Sequence, residues 1–257
     1  MNTKVVFRYV AWELRRNLRM LDSMFFIVVL PIALYLMFGA TSNLSEMSMG
    51  RGNPVAFVMI NMAIYGAVTA TTSTAGAAAV ERSSGWGRQL NLTALSDTGY
   101  IVGKVITATV ISLVPVIGVF AVGAVTGADI DQWWVWPATA VLVVLTAAPF
   151  ALYGLAAALL LRSEAAVSGA SGLLVVLAFF GNLFAPLDEL MLTISKFTPL
   201  YGSATISRWP MTEGKIFSPS AQALQDTELW VGVVNLIVWT IIFAAVCLVA
   251  SRRSTHR

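Results

Sequence analysis

Glu81, Arg82, Trp86, Arg88, Gln89 and Leu90 fall within one strongly polar stretch, Glu81-Arg82-Ser83-Ser84-Gly85-Trp86-Gly87-Arg88-Gln89-Leu90, between two long apolar runs. The chemistry such residues offer is recognition. Gly85 and Gly87 can end a helix and turn the backbone. Trp86 and Leu90, four apart, share one face of a short helix beyond that turn, with Arg88 and Gln89 flanking it. A short amphipathic element held at a membrane surface can dock into a groove on a soluble partner. An ordinary cytoplasmic loop, its charges satisfied by water, accounts for the same composition.

A second set of polar residues lies inside apolar runs. Asn61, Tyr65 and Thr69 are spaced four apart, with Thr72 and Ser73 continuing the stripe; Phe179 and Asn182 fall along one side of a later run with Ser168 and Ser171. These groups either line a path with hydrogen-bonding and aromatic side chains or bond helices to one another. Both readings stand at this point.

Catalytic chemistry is missing. The chain has one cysteine, Cys247, and one histidine, His256, so neither a disulfide framework nor a Cys/His metal site can be built. No G-x-x-x-x-G-K-[ST] loop is present to cradle nucleotide phosphates. No nucleophile–base pair suggests itself, so the sequence predicts no catalytic residue, no metal ligand and no cofactor of its own. The near absence of ionisable groups from the apolar runs argues against a carrier coupled to protons or sodium. Any work done must then be driven from outside this chain.

The elements that position these residues follow from composition. Of the 257 residues, 58% are hydrophobic and 11% charged, where soluble domains carry about 25% charge. That excludes a soluble globule. The formal charge of +3 is too small to indicate a nucleic-acid partner. Residues 1–21 place Lys4, Arg8, Arg15 and Arg19 on one side of a helix and Val6, Phe7, Val10, Leu14, Leu18 and Leu21 on the other. This pattern predicts an amphipathic helix lying in the membrane interface. Apolar runs follow at 22–39, 54–80, 100–126, 137–161, 167–185 and 229–250, each near or above the roughly 18–20 residues a spanning helix needs. The expected fold is an all-α membrane protein forming a single transmembrane domain over 1–257. It comprises the interfacial helix at 1–21, six transmembrane helices within 22–250 and a short tail at 251–257. Pro31, Pro115 and Pro149 are expected as kinks. Small residues four apart (Ala147 with Ala151, Gly154 with Ala158, Ser168 with Gly172) are expected at close helix crossings.

Of the 16 Lys and Arg residues, all but Arg51, Lys196, Arg208 and Lys215 fall in the termini or the loops around 81–104 and 162–164. The positive-inside rule therefore places both termini in the cytoplasm of a cell whose plasma or inner membrane the chain crosses repeatedly. Trp133, Trp134 and Trp136 then belong to an outer aromatic belt. The outer segment 186–228 carries Leu187, Leu190, Met191, Ile194 and Phe197 at helical spacing. This predicts a re-entrant or surface-lying helix before Pro199, with Leu190, Ile194, Phe197 and Pro199 as candidate gate residues. Residues 201–225 read as a loop with at most one further helix, since Gly202, Pro210, Gly214 and Pro219 interrupt the pattern.

Several of these residues in order resemble a family. Glu81-Arg82, Gly85, Leu90, Leu95 and Lys104 are similar to the cytoplasmic loop of ABC-2 type permeases, the membrane subunits of type V ABC exporters. Phe197-Thr198-Pro199-Leu200-Tyr201 resembles the segment those proteins carry after their fifth span. Leu95-Ser96-Asp97-Thr98 departs from the family, many of whose members have a proline there. The resemblance extends over nearly the whole chain and implies a permease that hydrolyses nothing itself. It implies two copies of a separate ABC-type ATPase, which carry the ATP and Mg, and a second permease chain. It makes the stretch at about 84–95 a coupling helix; in a permease, the path reading of the polar set makes Asn61, Tyr65, Thr69, Thr72, Phe179 and Asn182 the candidate substrate path. An uncharged, partly aromatic path suits an amphiphilic drug, a lipid-like molecule or a peptide. A non-transporting membrane sensor or assembly module, and a secondary carrier, are the competing readings.

Overall fold

The computed structural model describes residues 3–20, 24–40, 48–81, 97–161, 164–218 and 223–255. Helix α1 is Thr3–Leu18. The first apolar run forms π-helical turns at Phe25–Val29 and Leu36–Ala40 around α2, Leu30–Tyr35. There follow α3 (Pro54–Glu81), α4 (Asp97–Val125), α5 (Val135–Ala147), α6 (Pro149–Leu161) and α7 (Glu164–Phe180). Residues 186–228 hold α8 (Glu189–Ser195), α9 (Pro199–Thr212) and the antiparallel strands β1 (Lys215–Ser218) and β2 (Ala223–Asp226). Helix α10, Leu229–Thr255, is the last.

Among the described residues four helices are long and apolar enough to cross a membrane: Pro54–Ala77, Val102–Val125, Val135–Leu160 and Leu229–Ala250. The third is α5 and α6 running on through Ala148, where Pro149 removes a backbone donor and the helix breaks without losing its course. Phe25–Gly39 and Val167–Phe180 are also apolar helices but shorter. Length and composition thus support four spans of the six expected.

The bundle is assembled on α3. In its most apolar window 94% of the residues are buried within the protein, against 22% for α10, so α3 is the core helix and α10 an outer one. Small residues make this possible, because only they let several helices approach one axis. A Cβ on Gly154 of α6 would lie 2.1 Å from the Thr72 carbonyl oxygen of α3. The pair Ala147 and Ala151, and Ala158 with Gly154, are likewise buried, as the spacing predicts. Ser168 and Gly172 of α7 are instead exposed, and nothing described approaches Gly172.

The segment 186–228 differs most from expectation. Residues Pro199–Thr212 form a helix of 14 residues, most of them buried, where the sequence reads as interrupted. Gly202 does not break it: a Cβ there would lie 2.6 Å from the Gly232 carbonyl oxygen, so the glycine serves the crossing with α10. Pro210 sits in the last turn, and α9 ends through Glu213 (φ 53°) and Gly214 (φ +85°). The antiparallel strand pair that follows adds a small two-stranded sheet beside the helices. In α8 the predicted apolar face points outward: Leu190, Ile194 and Phe197 are exposed, while Leu192 and Ser195 are buried.

Candidate functional site

At the end of the bundle where α1 lies, four charged side chains meet. Val6, Val10 and Glu13, spaced four and three apart, are the buried residues of α1, and this face packs on the start of α4. Phe7, grouped by the sequence pattern with the apolar side, is exposed. The third buried residue, Glu13, is an acid among neighbours that offset its charge. Its Oε1 accepts from Lys104 Nζ at 2.6 Å and from Arg16 Nη2 at 2.6 Å. Lys104 Nζ also donates to Glu81 Oε2 at 2.7 Å, and Arg16 Nη2 donates to Glu81 Oε1. The side chains of Glu13 and Lys104 are nearly inaccessible.

Two carboxylates and two cations thus form a closed lattice whose members come from α1, the last residue of α3 and the first turns of α4. Removing water from single charges costs several kcal/mol each, and only complementary partners recover it. Glu81 and Lys104 bracket the loop that carries the recognition stretch. Both ends of that loop are therefore tied to each other and to α1. Arg82, Trp86, Arg88, Gln89 and Leu90 lie outside the described residues. Sequence reading took Glu81 and Lys104 as loop landmarks and overlooked Glu13. Its signal was available: it is the sole acid in the cationic segment 1–21 and falls on the Val6–Val10 side.

The polar stripe of α3 is buried within the chain. Thr72 Oγ1 donates across the crossing to the Phe150 carbonyl of α6 at 3.3 Å, and Thr71 Oγ1 to that of Ala147 at 3.0 Å. Thr69 Oγ1 bonds back to the Tyr65 carbonyl at 2.8 Å. For Thr72 the interhelical role is thus direct. Asn61 differs, since its buried Oδ1 has no partner among the described residues. Tyr65 meets Phe184 edge-on at 5.1 Å, and Phe184 meets Phe179 at 5.0 Å. Phe179 is half exposed, so this aromatic row runs from the surface to the core helix. Asn182 follows α7 at φ 58°, buried, with neither side-chain polar atom bonded among the described residues.

Asn182 also anchors a cation that sequence reading assigned to an outer loop. Arg208 of α9 is buried; Nη1 donates to the Asn182 carbonyl at 3.0 Å, Nε to that of Ala204 at 2.9 Å, and the guanidinium lies 4.9 Å from the Phe57 ring centre. No carboxylate pairs with it among the described residues. Its backbone partners and the aromatic face hold α9 to the ends of α3 and α7. The candidate gate residues Leu190, Ile194 and Phe197 are exposed, whereas Pro199 is buried at the start of α9.

The opposite end of the bundle is fastened by Arg51. Its Nη2 pairs with Glu213 Oε1 at 2.6 Å, Nη1 donates to the Pro210 carbonyl at 3.1 Å, and its backbone N–H donates to that of Met211 at 2.8 Å. Its own carbonyl accepts from Asp131 at 2.9 Å, and Trp134 lies against the guanidinium. The residues that charge counting assigns to one side, Arg51, Asp131 and Glu213, are gathered at one end. Arg16, Glu81 and Lys104 are gathered at the other.

No protein-family model matches the chain. It is 24% identical, over 235 residues that make up 90% of each chain, to YvfS of Bacillus subtilis (strain 168), a protein whose name describes it as a transport permease.

Proposed function

We propose that this chain is the membrane-spanning permease of an ATP-driven exporter of the ABC-2 type, working with a separate ATPase. A relative named as a transport permease, similar over nearly its full length, supports a transport role. The observation that carries the finer reading is the charge lattice. Glu13, Arg16, Glu81 and Lys104 join α1 to both ends of the loop that holds the docking stretch. A force applied to that loop reaches α1, the core helix α3 and α4 together, since breaking a buried pair leaves an unpaired charge.

On this reading two permease chains, alike or paralogous, assemble with two ATPase subunits. Six segments cross the cytoplasmic membrane, the two shorter apolar helices included, and both termini lie inside. Residues 84–95 act as the coupling helix, with Trp86 as its anchor. Nucleotide favours one arrangement of the bundle over another, which is a shift of populations driven by differential binding. The cargo is an amphiphile, a drug, lipid-like molecule or peptide, and it moves outward. Asn61, Tyr65, Thr69, Phe179 and Asn182 are the path residues this reading retains; Thr72 is assigned to helix bonding.

Purification of the tagged chain with an ABC-type ATPase, followed by reconstitution and measurement of cargo-stimulated ATP hydrolysis, tests the proposal. Stable co-purification and hydrolysis that responds to amphiphiles are expected. A chain that transports without nucleotide, or that holds no ATPase when both are produced together, would overturn it.

A further inference from the structure

Val6, Val10 and Glu13 face α4, so the side of α1 that its apolar pattern would lay in the membrane is occupied by the bundle. The half left outside is itself divided in two. Lys4, Arg8 and Arg15 form one exposed ridge, spaced four and seven apart, and Arg19 extends it in the turn after Leu18. Phe7, Ala11 and Leu18, at the same spacing, form a second exposed ridge alongside. Phe7 is 74% exposed and Leu18 49%. The sole acid of this helix, Glu13, is buried on the opposite side and already paired. The exposed half of α1 therefore carries cations and no acid.

The chain fixes the height at which this surface lies. The Met24 N–H donates to the Met20 carbonyl at 3.0 Å, so α1 passes within a turn or so into the first apolar membrane helix, Phe25–Gly39. An acidic protein surface in water would neutralise the arginines and leave the Phe7 ridge wet. Hydrocarbon alone would cover Phe7 and strand the arginines. The boundary between anionic headgroups and acyl chains satisfies both ridges at once, and it is the medium at the mouth of a membrane helix. We propose that the outward half of α1 is a docking surface for anionic phospholipids, with Arg8, Arg15 and Arg19 on the headgroup phosphates and Phe7 and Leu18 among the upper acyl carbons. The surface lies across the helix from Glu13, and it rests on the chain crossing a membrane, not on the exporter reading.

The test places a bimane fluorophore on Ala11→Cys, beside both ridges, in a full-length Cys247→Ser chain. The labelled protein is reconstituted into vesicles of equal phosphatidylglycerol and phosphatidylcholine. A small share of the lipid carries a doxyl quencher near the head of its acyl chain, on phosphatidylglycerol in one sample and on phosphatidylcholine in the other. The quenching constant for phosphatidylglycerol should exceed that for phosphatidylcholine by about fivefold, the effect of one cation near an anionic surface. The excess should shrink as salt is added, since these charges are exposed. Arg8→Gln, Arg15→Gln and Arg19→Gln together leave the charge lattice intact, and should make the two lipids equal while quenching itself continues. Phe7→Ser with Leu18→Ser should weaken quenching by both. Equal quenching by the two lipids in the parent chain, or an excess that survives the triple substitution, would overturn the anionic surface. A bimane reached by aqueous iodide and by neither lipid would put this face in water, free for an acidic protein partner, and would overturn it as well. No ATPase is present in these vesicles, so the exporter reading stands or falls on its own co-purification test.

Discussion

Lys104 serves two carboxylates from within the bundle, so its loss is not that of a surface salt bridge. Lys104→Met leaves Glu13 buried with Arg16 and the neutral amide of Asn17 and frees one oxygen of Glu81. Breaking a buried pair from one side costs about 3–5 kcal/mol, and a large fall in the melting temperature of the purified chain is expected. Adding Glu13→Gln to Lys104→Met removes the stranded charge and should recover part of that fall. A double variant as unstable as Lys104→Met alone would show that the lysine stem, not its charge, matters. Asn61 and Thr72 pose the opposite contrast on one helix. Thr72→Val deletes a bond from α3 to α6 and should lower stability by about 0.6 kcal/mol, the average for such bonds in membranes. Asn61→Leu deletes an amide whose Oδ1 has no partner, so stability should hold or rise. If Asn61 belongs to the path, the same variant alters the ratio of transport rates for two amphiphiles. An unchanged ratio would remove it from the path.

Among the elements, the apolar runs announced themselves, because long stretches without charge have few ways to fold. The Pro149 break and the Ala147, Ala151 and Gly154 crossings were legible for the same reason: a missing donor or a missing side chain acts locally. Helix α9 was not. Gly202 and Pro210 read as interruptions, and only the packing partner shows that Gly202 faces Gly232 and Asn235 of α10. Arg208 was placed in a loop because a lone arginine signals water unless its acceptors are known, and these are backbone carbonyls far away in sequence. Glu13 could be marked as an acid on the apolar side of α1, but its partner Lys104 in α4 lies beyond the reach of a helical wheel. Likewise, the outward turn of Leu190, Ile194 and Phe197 depends on where α8 docks, which spacing does not reveal. Gly202→Val tests the α9–α10 crossing. Its side chain would meet the Gly232 carbonyl and the Asn235 side chain that accepts from the Gly202 N–H. Overpacking of this kind costs about 1–3 kcal/mol. The variant should be recovered in lower yield and show faster proteolysis of the outer segment, and wild-type behaviour would mean that the crossing yields easily.

For the molecule as a whole, orientation comes before coupling. Thr193 and Arg15 are exposed near opposite ends, so in a Cys247→Ser background Thr193→Cys should react with an impermeant thiol reagent in intact cells and Arg15→Cys only after lysis. The reverse pattern would put α1 outside, where no cytoplasmic ATPase could reach the loop after Glu81. With α1 inside, the exporter reading makes a sharper demand. The docking stretch and the lattice are in series: one engages the partner and the other passes its movement to the bundle. Damage to each should therefore fail differently. Trp86 is the anchor on this reading, and truncating such an aromatic commonly costs about 2 kcal/mol or more of binding, a loss of some thirtyfold in affinity. Trp86→Ala should leave the chain inserted and stable while the ATPase is lost during purification. Glu81→Ala removes a lattice member at the mouth of the loop, so the ATPase should remain bound and continue to hydrolyse ATP while hydrolysis no longer responds to cargo and export falls. Co-purification, stimulated hydrolysis and vesicle export, measured on the two variants side by side, separate grip from transmission. If both variants bind, respond and export as the wild type does, the loop is a bland connector, and the lattice merely holds α1 to the bundle.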